Sequence, residues 1–237
     1  MSVPALSFDL QLLNAFAALL LLISFAMLSQ RRIVSLVNLL AFQGAILCAA
    51  TLLLAWRTGA NHLYFSAVLT LALKVVFLPW LMHRLIRRLD VYWDTEPLFN
   101  VTGTMLIGVV VVVFSFGLAQ PISALASTAT RNAIGIAVAV ILLAFLTMIT
   151  RRKAMSQVVG FLSMENGLFF GAMSATYGMP MIVELGVALD VLVAMLVLGV
   201  FFFQIREQFD SLDLQHLEAL REDTPPGAAS HDSKERG

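Results

Sequence analysis

Seven long and almost uninterrupted apolar segments dominate the sequence. A helix that spans a bilayer needs about 20 mostly apolar residues and satisfies its own backbone hydrogen bonds. Transmembrane strands would instead read as roughly 10-residue stretches of alternating polarity, which are absent here. The sequence therefore predicts an all-α, multi-pass membrane protein with about seven transmembrane helices. These run over about residues 10–29, 33–56, 63–82, 101–118, 134–149, 154–177 and 181–205.

The composition agrees with a membrane location and excludes several classes of protein. Of the 237 residues, 59% are hydrophobic and only 13% are charged, whereas a soluble domain carries about 25% charged residues. The net charge is zero, so no nucleic-acid partner is indicated. The single cysteine, Cys48, excludes an internal disulfide and a cysteine-ligated cluster. The first nine residues lack the basic residues of a cleaved signal, so the first helix is expected to be retained.

Basic residues between the helices predict the orientation. Loops on one side receive nine of them, and loops on the other side receive only Arg57 and Arg131. Cytoplasmic loops carry the excess of lysine and arginine. The N-terminus is therefore predicted outside and the C-terminus in the cytoplasm. The nine are Arg31, Arg32, Arg84, Arg87, Arg88, Arg151, Arg152, Lys153 and Arg206.

An internal repeat is predicted from a pattern that helices one to three share with helices five to seven. Gln43 in helix two corresponds to Glu165 in helix six, and Lys74 in helix three corresponds to Asp190 in helix seven. Helix four separates the halves, so both would face the same way, as a parallel repeat. The expected organisation is a three-helix unit at 1–90, the fourth helix and loops at 91–130, a second three-helix unit at 131–205, and a tail at 206–237.

The tail begins as a predicted amphipathic helix. Its leucines lie at helical spacing among acidic residues, and the chain is expected to be disordered after about residue 224. Two roles are open: the helix lies on its own protein, or it docks onto a partner subunit. The leucines are Leu212, Leu214, Leu217 and Leu220.

Four charged residues fall inside the apolar segments: Lys74, Glu165, Glu184 and Asp190. All except Glu184 lie about 15–18 Å from the ends of their helices, near mid-membrane. A charge there costs at least about 2.5–3.5 kcal/mol. One interpretation is a structural ion pair between Lys74 and one of the two central acids. The other interpretation is a proton relay. An ion pair with Lys74 would use only one of the two central acids, and the acid that remains favours the relay.

A polar stripe leads to Lys74 along the third helix. His62, Ser66 and Thr70 precede the lysine at intervals of four residues, which places them close to one face. Pro79 follows and removes a hydrogen bond to the carbonyl four residues earlier. The stripe is either part of the proton path or a set of hydroxyls bonded to their own helix beside a kink. In the first case His62 belongs to the relay, and Thr70 and, from helix two, Gln43 are secondary members.

A ridge of small residues runs along the sixth helix. Ser163, Gly167, Gly171 and Ala175 would let a neighbouring helix approach closely. Glu165 is about 200° around the helix from Gly167. We therefore expect Glu165 to face a different neighbour from the ridge.

Catalytic motifs are absent. The sequence holds no phosphate loop, zinc-site spacing or nucleophile elbow, and His62 and His83 lie at opposite ends of one helix, where they cannot ligate a haem within the bundle. We expect no cofactor or metal in this chain. By itself it is not predicted to be an enzyme.

The C-terminal third resembles two related families. A basic turn, the stretch GFLSMENGLFFGAM and the helix from MIVELGVALD onward, within residues 151–223, are similar to the K-type subunit of respiratory complex I and the C-type subunit of multisubunit sodium/proton antiporters. In those families a glutamate on each of two consecutive helices belongs to the proton path. The resemblance assigns Glu165 to the first of these positions, and either Asp190 or Glu184 to the second.

Nearly the whole chain resembles hydrogenase-4 component E, a membrane subunit of complex-I-like nickel–iron hydrogenases. This resemblance implies a bacterial or archaeal plasma membrane and three kinds of partner in addition to lipid: a soluble hydrogenase arm with iron–sulfur clusters and a nickel–iron site, a quinone-site-like membrane subunit, and antiporter-like membrane subunits. The leading hypothesis is a proton-translocating subunit of such a redox-driven complex. The alternatives are a subunit of a cation/proton antiporter and a structural anchor with buried ion pairs.

Overall fold

The described part of the chain is helical. In the computed structural model it comprises residues 8–59, 61–89, 100–123 and 128–176, with the single positions 186, 192, 195 and 199. Within these residues no strand occurs, so the all-α prediction is confirmed for them. The helices are α1 (Phe8–Ser29), α2 (Ile33–Thr58), α3 (Asn61–Thr70), a π-helical segment (Leu71–Phe77), α4 (Leu78–Leu89), α5 (Val101–Ser123), α6 (Thr128–Ile149) and α7 (Ala154–Thr176).

Six spans among the described residues are long and apolar enough to cross a membrane, and they coincide with the first six predicted helices. Most of the seventh predicted helix lies outside the described residues, as does nearly all of the charged C-terminal tail. The seventh span, the orientation and the repeat therefore stay predictions. The π-helical segment joins α3 and α4 into one continuous rod, called here the third span. The six are Gln11–Ser29, Ile33–Thr58, Leu63–Arg84, Val101–Gln120, Asn132–Ile149 and Met155–Thr176.

The chain divides into two compact units, Met1–Ala194 and Met195–Gly237, and all the helices named above belong to the first. Among the six spans of that unit α7 is the innermost, with 67% of an apolar 18-residue stretch buried, and α5 is the outermost, with 17% of the corresponding stretch. Helix α7 packs against α6 and α2, and α6 also contacts α1 and α5. Helix α2 in turn contacts α1 and all three parts of the third span. The core therefore lies between α2, α7 and the third span.

Glycine permits close packing of α7 against α6. A Cβ atom at Gly167 would lie 2.9 Å from Cγ1 of Val140 and 3.3 Å from the backbone nitrogen of Ile141. At Gly171 it would lie 2.9 Å from Cβ of Ala137. The two glycines of the predicted small-residue ridge therefore face α6, and only a residue without a side chain lets the two backbones approach this closely.

Glycine also ends α2. Gly59 has φ 64°, and its backbone N–H donates to the carbonyl of Ala55 at 2.9 Å. This left-handed conformation is the usual end of a helix and is strained for residues with a Cβ atom. The chain can therefore turn at once into α3, which packs antiparallel beside α2.

Arg151 connects the turn between α6 and α7 to the end of α1. The residue is buried, and its Nη2 donates to the carbonyls of Met27 at 3.2 Å and Leu28 at 3.1 Å. Burial lowers the pKa of the guanidinium, but an arginine still keeps its proton in a protein. A cation at the C-terminal end of a helix stabilises carbonyls that lack partners within the helix. Arg151 thus has a structural contact as well as its predicted place among the cytoplasmic basic residues.

Candidate functional site

A lysine and a glutamate form an ion pair in the interior of the helical bundle. Nζ of Lys74 lies 2.9 Å from Oε1 of Glu165, and the two side chains are only 5% and 2% exposed. Each residue lies about 15 Å from the ends of its span, which is the middle of a bilayer if the spans cross it. Burial costs each ion several kcal/mol of hydration free energy, and a partner of opposite charge at contact distance offsets that cost.

The π-helical segment positions the lysine. Lys74 is the central residue of Leu71–Phe77, and the segment ends where the N–H of Leu78 donates to the carbonyl of Leu73, five residues earlier. Pro79 follows and has no N–H to continue the ladder. Short π-helical stretches are rare and frequently occur at functional sites.

Helix α2 packs directly against the backbone of this lysine. A Cβ atom at Gly44 would lie 3.2 Å from Cβ of Lys74 and 3.5 Å from its carbonyl oxygen. This close approach leaves no room for water between the two backbones. From this contact the lysine side chain extends to Glu165 on α7.

Helix α7 surrounds the ammonium group with three side chains. In addition to the Glu165 carboxylate, Oδ1 of Asn166 accepts a hydrogen bond from Lys74 Nζ at 3.0 Å. The ring of Phe169, one turn further along, has its centroid 5.6 Å from the same nitrogen. An aromatic face at this distance attracts a cation. The ammonium is thus held by a charge, an amide dipole and a ring from one helix.

A chain of hydrogen bonds continues from Asn166 to α1. Because the Lys74 ammonium can only donate, Asn166 presents Oδ1 to it, and Nδ2 is left to donate to Oε1 of Gln43 at 3.3 Å. Nε2 of Gln43 then donates to Oγ of Ser24 at 2.8 Å, and that hydroxyl donates to the carbonyl of Leu20 at 2.8 Å. All these bonds point the same way, so each polarises the next.

The two parts of this network differ in what they can do chemically. Lys74 and Glu165 are both titratable and lie at the distance over which a proton passes directly. Asn166 and Gln43 carry amides, which keep their protons at any ordinary pH, so their side of the network orients the lysine without conducting protons. Within the described residues no group of His, Cys, Asp and Glu side chains could hold a metal ion.

The structure brings three of the predicted site residues together: Lys74, Glu165 and Gln43. Glu165 also faces a different neighbour from the glycine ridge, as expected from its angle around the helix. Thr70 and Ser66 are buried on the third span, at 4% and 1% exposure, so these two members of the stripe face the protein interior.

The other predicted site residues are outside the described part of the structure. These are Glu184 and Asp190, together with the side chain of His62, whose backbone lies in the first turn of α3. One described position between the two acids is informative. A Cβ atom at Gly186 would overlap the ring of Phe169 at Cε2 and Cδ2. Residue 186 is therefore adjacent to the ring that lies beside the lysine.

Two members of the network were missed from the sequence. Asn166 is an amide in an apolar segment next to Glu165, and this isolated polarity is the signal that could have identified it, whereas Gln43 was identified from the predicted repeat. Ser24 has no comparable signal, because serines are frequent in membrane helices and bond to their own backbone. Ser24 does make such a bond and accepts the Gln43 amide in addition.

These features define a multi-pass α-helical membrane protein whose core contains a buried, charged and hydrogen-bonded network. The chain is 38% identical to the uncharacterized protein Rv0085 of Mycobacterium tuberculosis over 204 residues, which cover 86% of this chain and 93% of that protein. It belongs to the same family as that protein.

A more distant similarity extends over the same length. The chain is 24% identical over 210 residues to hydrogenase-4 component E of Escherichia coli, which covers 89% of this chain and 97% of that protein. The protein of the same name from Shigella flexneri matches with the same values. No family model and no solved structure matches the chain.

Proposed function

We propose that this chain is a membrane subunit of a redox-driven, complex-I-like hydrogenase of the hydrogenase-4 type, and that Lys74, Glu165 and Asp190 contribute to proton translocation in it. The observation that carries the proposal is the 2.9 Å contact between Lys74 and Glu165 at the centre of two spans. The full-length similarity to hydrogenase-4 component E supports the kind of assembly.

The buried pair links proton uptake at Glu165 to proton release from Lys74. A proton that moves from Lys74 to Glu165 leaves both groups neutral, and one that moves back leaves both charged, so the pair has no net charge in either state. A proton added from elsewhere to Glu165 leaves the lysine charge uncompensated in the bundle, which is strongly unfavourable. Uptake of a proton at Glu165 therefore favours its release from Lys74 to a further acceptor.

Asp190 is the expected acceptor. The predicted seventh helix would place it one turn beyond Gly186, on the same face. Gly186 contacts Phe169, the ring of which lies beside Lys74. Glu184 is the alternative acid, closer to the predicted outer surface. On the third span, Thr70 and His62 would extend the path from the lysine toward that surface. Gln43 would help to orient the lysine through Asn166.

The remaining chemistry would lie in other subunits. We expect the iron–sulfur clusters and the nickel–iron site in a soluble hydrogenase arm, beside quinone-site-like and antiporter-like membrane subunits in a bacterial or archaeal plasma membrane. Native purification with mass spectrometry tests this expectation. Copurifying iron–sulfur and nickel proteins support the hydrogenase, and membrane subunits alone support a cation/proton antiporter.

Amide substitutions test the relay. Glu165→Gln and Asp190→Asn preserve shape but cannot exchange a proton, so we expect proton movement across vesicles to fall at least tenfold, a loss within the usual contribution of a positioned proton-transfer group. Electron transfer to a soluble artificial acceptor should persist. Glu218→Gln, the same change in the predicted tail, is the matched control and should retain coupling. Full coupling in the Glu165→Gln, Asp190→Asn double variant would exclude the relay.

A structural anchor is the competing function, since a structural ion pair would show the same direct contact between Lys74 and Glu165. If the pair only fixes the packing of the helices, replacing both members by neutral residues should preserve proton coupling in each assembled complex. Loss of coupling with normal assembly in the Lys74→Met, Glu165→Gln variant would instead support the relay.

A further inference from the structure

Helix α4 presents a basic face that the proposed function does not use. Trp80, His83, Arg84 and Arg87 line a groove of about 360 Å³, within the size range of small-ligand sites, roughly 300–1,000 Å³. Their spacing of three, four and seven residues places them on one side of the helix. The opposite side of α4 is buried against the bundle through Leu78, Met82 and Ile86.

The groove lies where the third span ends. The apolar span extends to Arg84, and two residues before the groove are exposed and apolar: Val76 is 61% exposed and Phe77 37%. Trp80, at the start of the groove, is 55% exposed. An apolar strip is thus followed by a tryptophan and then by two arginines. Tryptophan is enriched at the boundary between the hydrocarbon and the headgroups of a bilayer.

The side chains of this face are oriented for an anion. The guanidinium carbon of Arg84 lies 5.4 Å from the ring centre of Trp80, a distance at which the ring attracts the cation and holds it beside the groove. Nδ1 of His83 lies 2.8 Å from the carbonyl oxygen of Pro79. Because a carbonyl only accepts, Nδ1 carries the hydrogen, and Nε2 of the neutral ring is then an acceptor. The two arginines therefore supply the donors for an anion.

We infer that this face binds the phosphate of an anionic phospholipid, with the guanidinium groups of Arg84 and Arg87 on the phosphate oxygens and the acyl chains along Val76, Phe77 and Trp80. Arginine forms paired hydrogen bonds with phosphate oxygens, which gives the contact a preferred geometry. A free phosphate ion would share the polar contacts but would not use the exposed apolar strip, so the strip favours the lipid. The inference does not depend on the proposed hydrogenase function.

The test compares lipid retention by the full-length chain in detergent. Native mass spectrometry would measure the ratio of bound phosphatidylglycerol to bound phosphatidylcholine after equilibration with both. In the Arg84→Gln, Arg87→Gln variant we expect this ratio to fall at least about tenfold, since the charge-assisted hydrogen bonds of both guanidinium groups to the phosphate are lost. The matched control is Arg31→Gln, Arg32→Gln, which removes the same charge from the turn between α1 and α2 and should leave the ratio within about twofold of the wild-type value, because its arginines do not line the groove.

Three results would overturn the inference. An equal fall in the control variant would indicate general charge attraction without a site. An unchanged ratio in the Arg84→Gln, Arg87→Gln variant, with an unchanged melting temperature, would show that the groove does not select the lipid. Displacement of bound phosphatidylglycerol by millimolar inorganic phosphate would assign the groove to the free ion.

Discussion

Lys74 and Glu165 are each other's counter-ion, so the effect of changing one depends on what remains opposite it. We predict that Lys74→Met and Glu165→Gln, made singly, each destabilise the folded protein by about 3–5 kcal/mol, because each leaves a charge buried without its partner. The double variant should be less destabilised than the sum of the two, by at least about 2 kcal/mol.

Thermal unfolding in detergent, analysed as a double-mutant cycle, measures this coupling. Lys234→Met is the control, since it removes the same side chain from the part of the tail predicted to be disordered and should change stability by no more than about 0.5 kcal/mol. Additive effects of the Lys74 and Glu165 substitutions would contradict the pairing in the structure.

The residue scale also shows what one sequence can reveal about a buried site. Charge inside an apolar segment is a strong signal, because the cost of placing it there is large, and it identified both members of the pair. Whether the lysine pairs with Glu165 or Asp190 depends on which helices are neighbours, and hydropathy contains no information on that. Asn166 was missed because a neutral amide costs less than a charge and therefore stands out less.

At the scale of helices, glycines on α7 and α5 provide a matched pair of tests. Gly167→Ala should destabilise the protein by about 1–3 kcal/mol, because the added methyl would lie 2.9 Å from Val140 and close to the α6 backbone. Gly103→Ala has open space around it in the structure. This substitution should be neutral or stabilising by up to about 1 kcal/mol, since alanine favours a helix over glycine.

Unfolding temperatures of the two alanine variants, measured in the same detergent, check this prediction. A destabilising Gly103→Ala together with a neutral Gly167→Ala would mean that the α6–α7 contact is looser than described here.

Helix boundaries were predicted well, and the internal form of one helix was not. Segments of about 20 apolar residues mark their own ends, so the first six predicted helices match the six observed spans closely. Pro79 predicted a loosened third helix, but not a π-helical segment before it. The choice between α and π geometry depends on packing, such as the close approach of Gly44 to Lys74, which residue propensities do not contain.

For the whole molecule, the distribution of basic residues predicts that the N-terminus lies outside and the C-terminus lies in the cytoplasm. In a Cys48→Ala background, cysteines introduced at Thr58 and Ala126 should react with an impermeant thiol reagent added to intact cells, while one at Ser211 should react only after permeabilisation. Labelling in the reverse pattern would contradict both the orientation and the seven-helix count.

The tail is predicted to matter for assembly more than for proton transfer. A lone amphipathic helix is marginal in water, so residues 206–224 are expected to gain stability by docking. Removal of residues 206–237 should at least halve the recovery of intact complex on native gels, a change that needs only about 0.4 kcal/mol of lost docking energy. Removal of the residues after Thr224 should have little effect. Normal recovery after the longer deletion would exclude the docking role.

The buried ion pair also has a consequence for synthesis of the protein. Its two members are 91 residues apart in the chain, and ribosomes add about 5–20 residues per second. Lys74 therefore emerges roughly 5–18 seconds before Glu165, and it enters the bilayer with no carboxylate yet available from α7. During this interval the lysine must stay at the surface, lose its proton or be shielded by the insertion machinery. A nascent chain that stalls before α7 would retain this unneutralised lysine. Membrane quality control could recognise an incomplete chain by this lysine.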